Sequence, residues 1–142
     1  MATHQEIAQV SDQDLLGRMT KTHDDRFNDN FWQFISEEVG SKIPAKPLIV
    51  DLGCGPGLLL RDLQRRYLDA NLFGYDITNV MIDYAKNEVE LSGDKPHFDF
   101  LGVTATPLPH GDASVDLLPE QLPVLADIRK CLKPSGLFLL RD

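Results

Sequence analysis

The chain has 142 residues, 42% of them hydrophobic and 25% charged, with a net charge of −8 and an isoelectric point near 4.8. That length suits one domain with a real core, and the acidic balance argues against broad contact with nucleic-acid phosphates, which needs clustered Lys and Arg. No apolar run reaches the roughly 18 residues of a membrane span and no basic-then-apolar leader follows Met1, so the expectation is a cytoplasmic protein without membrane contact. Cys54 and Cys131 stand far apart and make neither a C-x-x-C pair nor a metal-ligand pattern, which predicts two reduced thiols and no metal site.

The first 45 residues read as a helical cap. Ser11-Asp12-Gln13-Asp14 resembles a capping box ahead of Leu15, Leu16 and Met19. A second helix is expected from about Asp24 to Val39, with Phe27, Phe31, Phe34, Ile35 and Val39 on one stripe and Gly40 placed to end it. That stripe, with Trp32, either lines an apolar pocket or packs the helix on a sheet. Lys42 to Pro47 carries two prolines and reads as a linker into a second unit, residues 46–142.

From Leu48 onward strands and helices alternate. Strands are expected at Leu48–Leu52, Asn71–Asp76, His97–Leu101, Val115–Leu118 and Leu137–Leu140. Helices are expected from Leu58 to about Tyr67 (Leu59, Leu63 and Tyr67 inward), from Asn79 to about Leu91, and over Leu122–Leu132. This alternation with short connections predicts an α/β fold, a doubly wound parallel sheet whose ligand site lies beyond the carboxyl ends of the strands. Arg61, Arg65 and Arg66 form a local basic stripe, read most simply as the solvated face of a helix.

The most informative segment is Val50-Asp51-Leu52-Gly53-Cys54-Gly55-Pro56-Gly57. An apolar run ends in an acid, three glycines alternate, and a leucine-rich helix opens. Glycines let the backbone turn sharply and approach a ligand closely, and the helix start presents unpaired N–H groups and a positive dipole end. Strand two ends in Asp76-Ile77. A carboxylate there can accept both hydroxyl hydrogens of a ribose, or it can cap the next helix.

The octet matches the D-x-G-x-G-x-G signature and resembles the class I S-adenosylmethionine (SAM) methyltransferases. Three further segments resemble that family: Asp76-Ile77-Thr78-Asn79-Val80-Met81-Ile82-Asp83-Tyr84-Ala85, Leu108-Pro109-His110-Gly111-Asp112-Ala113-Ser114-Val115-Asp116-Leu117, and Leu125 through Gly136. The rival dinucleotide fingerprint G-x-G-x-x-G needs glycine where Leu58 stands, which disfavours an NAD(P)-dependent oxidoreductase. The resemblance implies strand order 3-2-1-4-5 and SAM as cofactor, with S-adenosylhomocysteine as product. It implies that Gly53, Cys54, Gly55 and Gly57 cradle the methionine part and that Asp51 stands near its amino group. It further implies Asp76 at the ribose, Ile77 at the adenine face, and Thr104 and Ala105 at the adenine edge.

The chain departs from the family pattern at three places. Val103-Thr104-Ala105 stands where an acid usually contacts the adenine amino group, so a hydroxyl replaces a charge-assisted partner. The connection after Leu118 is short, with Pro119-Glu120-Gln121 leading almost directly into Leu122. The usual strands six and seven are not in the sequence, which would leave strand five as an apolar edge open to a second copy or a partner subunit. Methyl transfer can proceed by alignment alone, so no catalytic residue is assigned. His23 and His110 are base candidates, each weighed against a solvent-exposed histidine. The leading expectation is methyl transfer to a small organic acceptor; the alternative is a catalytically inactive binding or partner subunit with the same fold.

Overall fold

The computed structural model describes residues 10–90, 96–101, 109–120 and 131–140. Helix α1 spans Asp12–Lys21, with Ser11 at its N-cap accepting the Asp14 N–H at 3.1 Å. The expected single helix from Asp24 to Val39 is instead broken. Helix α2 covers His23–Arg26, helix α3 covers Asp29–Phe34, and the chain runs on as a wider π-helical turn over Ile35–Gly40. The break is local chemistry: Asn28 adopts an extended backbone and its side-chain oxygen accepts the Asn30 and Phe31 N–H groups, starting a new helix.

Strand β1 (Leu48–Leu52) leads through the glycine turn into helix α4 (Leu58–Arg66), then strand β2 (Asn71–Asp76) and helix α5 (Asn79–Tyr84). α5 continues as a π-helical turn over Ala85–Val89, and the predicted end at Leu91 lies outside the described residues. Strands β3 (His97–Phe100), β4 (Val115–Glu120) and β5 (Leu132–Leu140) complete a five-stranded sheet of order β3-β2-β1-β4-β5, with every pair parallel. The doubly wound order is therefore the one expected.

Strand β5 starts five residues earlier than the sequence suggests. Leu132 already pairs with Val115 and Leu137 pairs with Leu117, so Lys133-Pro134-Ser135-Gly136 forms a bulge within the strand rather than a turn before it. The expected helix over Leu122–Leu132 falls largely on residues 121–130, outside the described residues, and its last member belongs to β5.

One face of the sheet carries the larger core. Ile49 and Leu72 from the strands meet Leu60 and Leu63 of α4 and Ile35 and Val39 of the cap, all at most 4% exposed. Leu58 and Leu60 are buried as well as the predicted Leu59 and Leu63, because α4 is roofed by the cap helices. Of the aromatic stripe, Ile35 and Val39 are core, Phe27, Phe31 and Trp32 pack against it, and Phe34 is exposed. Most of the stripe is packing, and Phe27 also lines a cavity. Val50, Leu52, Tyr75, Val115 and Cys131 form a second cluster on other positions of the sheet.

Candidate functional site

The carboxyl ends of β1 and β2 lie side by side, with Leu52 opposite Tyr75. Immediately beyond them the backbone folds back on itself. The Gly53 and Cys54 N–H groups both donate to the Tyr75 carbonyl, at 2.8 and 2.9 Å, and Gly57 N–H donates to the Cys54 carbonyl at 3.1 Å. Gly53, Gly55 and Gly57 take φ values of +71°, +55° and +79°, which a side chain would strain. Gly57 has a second reason to be glycine: a Cβ there would sit 2.6 Å from the Phe98 ring and 3.1 Å from Ala85, so α4 could not close on the sheet.

Asp76 ties this turn down. One oxygen, Oδ2, accepts the Gly55 N–H at 2.9 Å and the other, Oδ1, accepts the Thr78 N–H at 2.9 Å. The carboxylate is buried, and its bond goes to Thr78, the residue before α5, not to the amides inside that helix. It joins the two turns that border the site rather than capping α5. Each carboxylate oxygen has a second lone pair for a further donor. Ile77 is half-buried beside it. Asp51 is fully buried in β1 next to Gly74, and the Cys54 side chain belongs to the core, leaving its backbone to the turn. Thr104 and Ala105 lie outside the described residues.

The cap closes over the turn. Met19 of α1 rests on Gly55, where a Cβ would approach its Cε to 2.6 Å. A cavity between cap and core brings Met19, His23, Arg26 and Phe27 against Gly53 and Pro56. Neither histidine is the solvent-exposed group that the sequence offered as an alternative. His23 is 3% exposed and its Nε2 lies 2.6 Å from Asp62 Oδ2, joining α2 to α4. Burial pushes the Asp62 carboxyl up, but the His23 and Arg61 hydrogen bonds and their charges outweigh it and hold the group below its ordinary value. His110 is partly buried and its Nε2 lies 2.9 Å from the Tyr75 hydroxyl; burial lowers its pKa. The His110–Tyr75 pair sits among residues of the second cluster, not among those lining the cavity.

The basic stripe is largely spent on contacts. Arg61 pairs with Asp62 at 3.0 Å, Arg65 approaches it at 3.7 Å, and the Arg66 guanidinium stacks 3.5 Å over the Trp32 ring. Met19, Arg26 and the His23–Asp62 pair are the site neighbours that sequence reasoning did not place. The i, i+4 spacing of His23 and Phe27 was the one available signal that His23 faces inward.

A family model described as a methyltransferase domain matches residues 49–136, more than half of the chain. The chain belongs to the methyltransferase domain family. The nicotinamide alternative is thereby set aside. Solved structures agree on the fold. A Methanococcus maripaludis protein assigned as a SAM-dependent methyltransferase is 16% identical, with 99% of this chain and 66% of that chain covered at a TM-score of 0.69. A Haloferax volcanii protein assigned as a methyltransferase, solved in complex with the Trm112 methyltransferase activator, is 24% identical, with 93% and 61% covered at 0.61. A Galdieria sulphuraria protein assigned as a sarcosine dimethylglycine methyltransferase is 19% identical, with 81% and 46% covered at 0.66. The chain therefore spans two-thirds or less of the length of these structures. A comparison with curated proteins finds no match.

Proposed function

We propose that the chain binds SAM at the glycine turn and transfers its methyl group to a small organic acceptor. The observation that carries the cofactor reading is the Asp76 carboxylate, held between Gly55 and Thr78 at the end of β2 with lone pairs to spare for a ribose diol. Gly53, Cys54, Gly55 and Gly57 would shape the bed for the methionine part, Asp51 would bias it electrostatically toward an ammonium, and Ile77 would cover the adenine. Thr104 and Ala105 complete the proposed adenine edge. The fit is favourable at Gly55, where only the mobile end of Met19 stands over the backbone.

SAM supplies an activated methyl on a sulfonium; the chain's part is to bind, orient and exclude water. The acidic charge supports a small acceptor over a nucleic acid, and the methylated-glycine acceptor named for the Galdieria protein lends the same direction. A partner reading also has support, since the Haloferax protein was solved with an activator and β5 is the outer strand of this sheet with Phe138 exposed. A second copy or partner subunit would add at that edge.

Calorimetric titration with SAM and S-adenosylhomocysteine tests the cofactor reading. Micromolar binding lost in Asp76→Ala is the expected result. A folded chain that binds neither would overturn it.

A further inference from the structure

The glycine turn hangs on two consecutive residues of β2. The Tyr75 carbonyl accepts the Gly53 and Cys54 N–H groups, and the Asp76 carboxylate accepts the Gly55 N–H. The Tyr75 side chain, by contrast, is buried in the second cluster, away from the cavity. There its hydroxyl lies 2.9 Å from His110 Nε2, and the His110 ring stands edge-on to Phe73 and Tyr75 with centroids 4.9 and 5.6 Å away. A titratable ring remote from the cavity is thus joined, through one residue, to the carbonyl that holds the turn.

His110 also opens a strained turn. Ala113 takes φ +51°, a left-handed conformation that alanine adopts only at a cost. Ser114 Oγ donates to the Gly111 carbonyl at 2.7 Å, and the His110 carbonyl accepts the Cys131 thiol at 3.5 Å. Few charged or titratable groups surround the ring among the described residues. On β3, Asp99 pairs with Tyr75 in register, and His97 pairs with Phe73, its ring 5.4 Å away. On β4, Asp116 is occupied by the Leu48 N–H and by Lys133, each at 2.8 Å. Asp112, on the same turn, is exposed.

Burial and the Asp99 charge push Tyr75 up to about 12, so the phenol keeps its proton and donates it to a neutral imidazole. A proton on Nε2 removes that acceptor and leaves a charged ring against two aromatic neighbours. Burial lowers the His110 pKa, so the charged ring is the poorer fit.

We propose that the His110–Tyr75 pair is a pH-sensitive clasp on the glycine turn. With the ring neutral, Tyr75 is seated and the turn is set for the cofactor. Protonation of His110 frees the strained turn of residues 110–114, unseats Tyr75 and weakens cofactor binding. The clasp rests on the cofactor reading given above and adds to it a control by residues outside the cavity. Linkage then requires that bound cofactor make His110 harder to protonate.

Calorimetric titration of the full chain with S-adenosylhomocysteine from pH 7.5 to pH 5, with folding checked by circular dichroism at each pH, reads the clasp. Wild-type affinity should be level above pH 6.5 and fall by at least about threefold between pH 7 and pH 5. His110→Gln keeps an oxygen to accept the Tyr75 hydroxyl but does not titrate, so it should bind as the wild type does at pH 7 and lose the decline. Tyr75→Phe removes the partner and should flatten the profile as well. In proton NMR of the wild type, saturating ligand should move the His110 titration to lower pH. A flat wild-type profile, a decline undiminished in His110→Gln, or a His110 titration unmoved by ligand would overturn the clasp while sparing the cofactor reading. A folded chain that binds no S-adenosylhomocysteine at pH 7 would overturn both.

Discussion

The Gly55 N–H donates to Asp76 Oδ2 at 2.9 Å, binding the middle of the first turn to the end of the second strand across 21 residues of sequence. The contact makes the shape of the turn depend on the residue proposed to hold the ribose. Asp76→Asn should therefore separate the two roles. An amide keeps one acceptor oxygen but loses the charge, so stability should fall by about 1–2 kcal/mol while S-adenosylhomocysteine affinity falls more than tenfold. Urea unfolding and calorimetry on the same sample check it.

Gly57 and Gly55 of the turn and Gly17 of α1 differ in what surrounds them. Gly57→Ala would combine a strained φ with a Cβ driven into the Phe98 ring, a rigid neighbour, and should cost about 3 kcal/mol. Gly55→Ala meets only the end of Met19 and should cost about 1 kcal/mol in stability while obstructing the cradle. Gly17→Ala, in an open position of α1, should stabilise by about 0.5–1 kcal/mol. Chemical denaturation of the three variants should give that order.

The His23–Asp62 pair fastens the cap to α4. Asp62→Asn should destabilise by about 2 kcal/mol at pH 7. Because the folded state holds the Asp62 carboxyl below its ordinary value of 3.8, the pair's contribution is complete above that value and is lost as pH falls through the lower folded one. The gap between wild type and variant should accordingly close in a urea series taken from pH 6 down to pH 3.

His110 acts in the same direction at higher pH. Burial lowers its pKa from 6.5, so below pH 6.5 the unfolded chain takes up a proton that the folded chain resists. Stability is full above 6.5 and declines as pH falls. His110→Gln should flatten that decline between pH 7 and pH 5 in thermal unfolding. Its partner Tyr75 is pushed up to about 12, by burial first and then by the Asp99 charge, so alkaline absorbance titration should show one tyrosine ionising about two units late.

Much of the fold was legible because its signals are local. Ser11 bonds the residues nearest it, the alternation from Leu48 to Asp76 matches the strands and helix found there, and the glycines of Gly53-Cys54-Gly55-Pro56-Gly57 announce a turn that only positive φ can make. Asn28 was equally local, yet its capping role was hidden by an aromatic stripe that reads straight through it. The start of β5 was not legible, since Lys133-Pro134-Ser135-Gly136 carries turn chemistry and only pairing with Val115 and Leu117 makes it a bulge.

The sequence by itself determined the alternation of elements, the glycine turn with its acids, and the family, because each depends on residues adjacent in the chain. Only the tertiary structure decided that Met19 covers Gly55, that His23 meets Asp62 39 residues away, and that Arg26 lines the cavity. Those meetings arise where the cap helices bury their apolar face on α4 and α5. The polar groups they bring along must find partners on a surface that no local pattern encodes.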